Sequence, residues 1–155
     1  MEKEFDNEIA LFKAQLELVS RSSKKGIIEK LQWFFLDLKQ GFAFSASNQR
    51  INLPSRSIYV DLVFYNRNLI NTVLVNFRKG NIQQQDVDKM NLAVGFYNNQ
   101  RLEEENETVG IIIGQLKNEV VVEYIYTKNE DKKSVIPYET VLPNQEKLKA
   151  LLIGK

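Results

Sequence analysis

The sequence predicts a three-layer α/β domain in which helices cover both faces of a mixed β-sheet. Three observations carry that prediction. Two N-terminal stretches repeat apolar residues at spacings of three and four, as amphipathic helices do. After Gly41 the pattern changes to short runs rich in β-branched and aromatic residues. Further on, Val109-Gly110-Ile111-Ile112-Ile113-Gly114 is a continuous apolar run of the kind found in buried parallel strands.

The first helix is expected over residues 4–19, where Phe5, Ile9, Phe12, Leu16 and Val19 share a face, and Ser20-Arg21-Ser22-Ser23 ends it. Residues 1–23 are therefore set apart as a helical extension and 24–155 as the main domain. A second helix is expected from Lys25 to Lys39, with Ile27, Ile28, Leu31, Phe34, Phe35 and Leu38 forming a face broad enough to lie on a sheet, and with Gly41 to stop it. Trp33, Phe34 and Phe35 are read as packing residues. A meander follows: Phe42-Ala43-Phe44 is strand-like, Asn48 to Arg56 is polar and contains Pro54, and Ser57 to Tyr65 is a strand. Asn66-Arg67-Asn68 makes a turn, Ile70 to Phe77 is a strand apolar at its centre, and Arg78 to Gln85 is polar. Val87, Met90, Val94 and Tyr97 place a helix over Asp86 to Asn98, and Glu103 to Glu107 is an exposed acidic connection. Asn118 to Tyr126 fits helix or strand. Val135-Ile136-Pro137-Tyr138 reads as an edge strand, where proline is tolerated, and Pro143-Asn144 opens a C-terminal helix bearing Leu148, Leu151 and Leu152.

The 155 residues suit one domain with a real core. Hydrophobic residues at 43% and charged residues at 26% are ordinary globular usage. A formal charge of +1 means that any nucleic-acid binding must come from a local patch. With no cysteine and no histidine, Cys/His zinc sites and Cys-His or Ser-His-Asp catalysis are excluded. Carboxylates, amides, lysine or arginine must carry any chemistry. No apolar run approaches the ~18 residues needed to span a bilayer, and the N-terminus has no apolar signal core, so a cytoplasmic location is expected.

Asp61 does not fit a core. It lies within Ile58-Tyr59-Val60-Asp61-Leu62-Val63-Phe64-Tyr65, where both faces of the strand carry apolar residues, and an uncompensated buried carboxylate costs several kcal/mol. Either a cation or a set of amide donors compensates it, or the strand lies at an edge and Asp61 meets water. On the next strand Asn76 and Arg78 share one parity. If the strands pair, Asp61, Asn76 and Arg78 meet, which is the skeleton of a metal-dependent phosphodiesterase site, and Glu29 on the preceding helix is placed to add a carboxylate.

The ordered set Gly41-Phe42-Ala43-Phe44, Gln49, Tyr59-Val60-Asp61-Leu62-Val63-Phe64-Tyr65-Asn66-Arg67, Met90-Asn91, Gly110-Ile111-Ile112-Ile113 and Leu142-Pro143 resembles the YhcG-type family of PD-(D/E)XK nuclease domains. The resemblance runs from about Glu29 to the C-terminal helix and implies a restriction-endonuclease-like fold. It matches the family aspartate to Asp61 and the acidic residue of the first core helix to Glu29. The family's Glu-x-Lys falls on Asn76-x-Arg78. Of the metal ligands this leaves Asp61 and a neutral carbonyl at Asn76, a weaker pair for Mg²⁺ or Mn²⁺. Arg78 keeps the positive charge of the family lysine with a different shape, and is expected to pair with Asp61, and with Glu29, where the metal would sit. Lys89 stands where the family often has glutamine. It is either a replacement for the missing lysine or a solvated helix residue. Asp86 and Asp88 are either acidic substitutes for the missing glutamate or solvated helix residues.

DNA is the partner that the resemblance implies. Gln49, Arg50, Arg67 and Lys79, with Arg56, Arg78 and Lys89, are the candidate contacts. The leading expectation is a DNA-binding or defence-associated nuclease relative with absent or reduced cleavage. An active Mg²⁺- or Mn²⁺-dependent nuclease using Glu29, Asp61, Arg78 and Lys89 is the first alternative. The second is an interaction module whose first helix binds a partner protein or a second copy.

Overall fold

The computed structural model describes residues 24–125 and 141–153. Helix α1 (Lys24–Asp37) leads into strands β1 (Phe42–Asn52), β2 (Ser57–Asn66) and β3 (Asn71–Lys79). Helix α2 (Gln84–Asn98), strands β4 (Val109–Gln115) and β5 (Val120–Ile125) and helix α3 (Gln145–Ile153) follow. The helix expected over residues 4–19 and the strand expected over 135–138 lie outside the described residues. The stretch that fitted helix or strand is β5. Strand β1 runs to Asn52, well past the apolar segment that marked its start, because its exposed polar residues carry no apolar signal.

The five strands lie in the order β1-β2-β3-β4-β5. All neighbours are antiparallel except β3 and β4, which pair in parallel from Val73 opposite Val109 to Lys79 opposite Gln115. Helix α2 makes the crossover that a parallel pair requires. One layer packs Ile27, Leu31 and Phe35 of α1 and Leu148 of α3 against Leu62, Phe64, Val73, Val75, Ile111 and Ile113. Phe35 stacks on Phe64 with ring centroids 5.1 Å apart. The other layer packs Met90, Ala93 and Val94 of α2 against Val60, Val63, Leu74 and Ile112. This is the expected three-layer, restriction-endonuclease-like arrangement.

The β2–β3 turn is built by a buried amide. Asn66 accepts the Asn68 and Leu69 amides at 2.9 Å each and donates to the Gln40 carbonyl at 3.1 Å. At the opposite end of β2 two irregularities coincide. Val60 and Val63 belong to one layer but Leu62 and Phe64 to the other, so side-chain alternation breaks at Asp61-Leu62. Across from it on β1, Asn48 has a positive φ of 47°, a conformation that asparagine tolerates better than most residues. The β2–β3 ladder also stops there, with Leu62 opposite Val75. Before Leu62, β2 pairs only with β1, and after Val75, β3 pairs only with β4.

Candidate functional site

The diverging ends of β2 and β3 open a cleft of about 460 Å³. Side chains bridge the gap where the ladder is lost. The Asp61 amide donates to Asn76 Oδ1 at 2.7 Å, and the Phe77 amide donates to Asp61 Oδ2 at 2.8 Å. Each side chain thus takes over a backbone amide that the ended ladder would leave unpaired. Asp61 Oδ1 lies 3.6 Å from Lys24 Nζ in the first turn of α1. Burial pushes the Asp61 carboxyl above the usual carboxylate range, and the Phe77 amide and the Lys24 ammonium pull it back only in part.

Across the cleft, Arg78 is committed to α2. Its Nε and Nη2 donate to the two oxygens of Asp86 at 2.5 and 2.9 Å, a bidentate clamp. Asp86 Oδ2 also accepts the Gln83 amide at 2.8 Å, capping the helix that carries it. Partial burial alone would raise the Asp86 carboxyl, but the Arg78 guanidinium and the Gln83 amide hold it below its ordinary value.

The expected internal pair between Arg78 and Asp61 is therefore replaced by two others, Arg78 with Asp86 and Lys24 with Asp61. The break in alternation gives the reason. Asp61 alternates with Val60, which packs against α2, and so faces α1, whereas Asn76 and Arg78 keep the parity of Leu74 and face α2. The three residues reach one cleft from opposite faces of the sheet. Glu29 lies in an adjoining cleft of about 540 Å³ on the α1 side, which Lys24 and Asp61 also line.

Lys79, Lys89 and Arg56 line the main cleft with Arg78 and Lys24. Gln49 and Arg50 sit one strand away on β1, opposite Val60 and Tyr59. Arg67 lies beyond the far end of β2, six residues from Asp61 and so roughly 20 Å along the strand. Lys24 was not singled out in the sequence, since a lysine at a helix start carries no signal of what faces it across the fold. Asp86 is an acidic candidate in the sequence, but nothing there ties it to Arg78. An eight-residue separation with a turn between them is visible in sequence, yet only the turn's path makes it a contact.

A family model described as the YhcG PDDEXK nuclease domain matches residues 7–152. The chain belongs to the YhcG PDDEXK nuclease domain family. A curated relative, "Putative nuclease YhcG" of Escherichia coli (strain K12), is 24% identical over 126 residues, which cover 81% of this chain and 34% of that protein. The chain thus spans about a third of that relative's length. No solved structure matches the chain. Among the described residues no helix is long and apolar enough to cross a membrane.

PDDEXK nucleases use divalent metals, and the donors in this YhcG-family cleft do not fit one. Mg²⁺ takes near-octahedral oxygen ligands and favours carboxylates. Among the described residues no three acidic side chains converge. Asn76 Oδ1 already accepts the Asp61 amide, Asp61 Oδ1 faces an ammonium, and both Asp86 oxygens are held by Arg78. No hydrolytic step through a metal follows from this arrangement.

Proposed function

We propose that this YhcG-family domain binds DNA by its phosphates in the β2–β3 cleft, with metal-dependent cleavage lost or much reduced. The observation that carries this reading is the charge of the cleft. Lys24, Arg56, Arg78, Lys79 and Lys89 line it against only Asp61 and Asp86, and each of those carboxylates already has a cation beside it within the protein. Phosphate oxygens would find cations there and no competing free carboxylate. Family membership supports nucleic acid as the ligand class, and the misfit of the donors supports the loss of cleavage.

Lys89 favours a second reading. It lines the same cleft as Asp61, which would let it serve as a relocated catalytic lysine in an active Mg²⁺- or Mn²⁺-dependent enzyme. One experiment separates the two: fluorescence anisotropy on labelled DNA with EDTA and with Mg²⁺, beside plasmid cleavage in Mg²⁺ and in Mn²⁺ by wild type and Asp61→Ala. The binding reading expects the same affinity with and without metal and no cleavage. Cleavage by wild type that disappears in Asp61→Ala would overturn it and favour the enzyme.

A further inference from the structure

Tyr59 is exposed where a strand residue of this sheet would ordinarily be covered. Its neighbours Ile58 and Val60 are buried against α2, yet Tyr59 points the other way and is 51% exposed. The cause is the divergence of the sheet, since β2 has already left β3 at this level and only β1 flanks the ring. Among the described residues no hydrogen bond or ring contact engages its side chain. The ring lines the same cleft as Lys79 and Lys89. Its cross-strand partner is Arg50, whose guanidinium is steadied by the Ser57 hydroxyl at 3.2 and 3.3 Å. An exposed aromatic ring set among cations is the pairing by which proteins hold unpaired nucleotides, with cations along the backbone and a base stacked on the ring.

We infer that Tyr59 is a stacking platform for an unpaired nucleobase, so that the cleft takes single-stranded in preference to duplex nucleic acid. In a duplex each base face is covered by its neighbours, and the ring has nothing to stack on. The cleft volume of about 460 Å³ lies within the ~300–1,000 Å³ of pockets that enclose one small molecule, which suits a single nucleotide. This rests on the phosphate-binding reading above and adds the part of the ligand that reading leaves open.

The test is anisotropy in EDTA with three labelled probes of equal length: a thymidine tract, the same tract with abasic sugars, and a duplex. Wild type, Tyr59→Phe and Tyr59→Leu are compared, with thermal melts to confirm that each is folded. Wild type should bind the thymidine tract about 5- to 140-fold more tightly than the abasic tract, the range expected for stacking one base. Tyr59→Phe should keep that preference and Tyr59→Leu should lose it, while both retain wild-type affinity for the abasic tract. A base-dependent preference that survives in Tyr59→Leu, or is missing in wild type that still binds the abasic tract and the duplex, overturns the role of Tyr59 alone. Failure of wild type to bind any of the three overturns the phosphate-binding reading with it.

Discussion

Asp61 shows how one residue can serve the site at the expense of the fold. Its folded-state pKa lies above the unfolded value of about 3.9, so the native state holds this proton more tightly than the unfolded chain does. The stability that it contributes is fully present below the unfolded value and is lost as pH rises through the folded one. Asp61→Asn should therefore melt at or above wild type near pH 7, and that advantage should vanish as pH falls toward 4. Asp61→Ala leaves the Phe77 amide without its acceptor and should cost about 1–3 kcal/mol. Denaturant melts of the three proteins between pH 4 and pH 8 check both, and an Asn variant weaker than the Ala variant would refute the account. The sequence made the need for compensation at Asp61 legible, because a carboxylate among Val60, Leu62 and Val63 demands partners. It could not say which partners, since Lys24 and the Phe77 amide are 37 and 16 positions away.

At the scale of elements, the cleft depends on α2 lying close to β4. On the α2 face of that strand, Gly110 makes room for the helix and Gly114 for the turn that precedes it. A Cβ at Gly110 would meet Met90 Cγ at 2.6 Å, and one at Gly114 would meet Ile82 Cγ1 at 2.8 Å and the Gly80 carbonyl at 3.0 Å. The Met90 thioether can turn aside. The Gly80 carbonyl belongs to a turn with a φ of 110° whose amide is fixed to Gln115 at 2.8 Å, and it cannot. Gly114→Ala should therefore cost about 1–3 kcal/mol and exceed Gly110→Ala, as thermal melts of the two variants would read; the reverse order would mean that the turn yields more readily than the thioether. Elements with a strong period were legible in the sequence: the broad face of α1, the apolar run of β4 and the spacing of α2. The far half of β1 was not, because Ser47, Asn48, Gln49 and Arg50 form a largely exposed stretch in which pairing with β2, rather than burial, makes the strand. The break in alternation on β2 was equally hidden, and it decided which face each site residue occupies.

For the molecule as a whole, a formal charge of +1 conceals a cleft in which five cations face two carboxylates. Composition indicated that any binding patch must be local, and the fold supplies the locality by bringing α1, β2, β3 and α2 to one edge of the split. Each cation that neutralises a phosphate adds roughly 0.7–0.9 to the slope of log affinity against log salt. Lys79→Ala should lower that slope by about 1 and weaken all sequences alike, while Arg67→Ala, at the other end of β2, should leave it unchanged. A salt titration that moves equally for both variants would mean that the patch extends over the whole sheet face. Apart from Lys24, every charged residue lining the cleft lies between Arg56 and Lys89. The α1 layer, β4, β5 and α3 hold the sheet together with almost no share in that charge. Chemistry and scaffold thus alternate along β2 and β3, where Asp61, Asn76 and Arg78 stand beside the core residues Leu62, Val75 and Phe77, so a lineage can rewrite a cleft position, trading a carboxylate for an amide or a lysine for an arginine, while inheriting the core residue next to it.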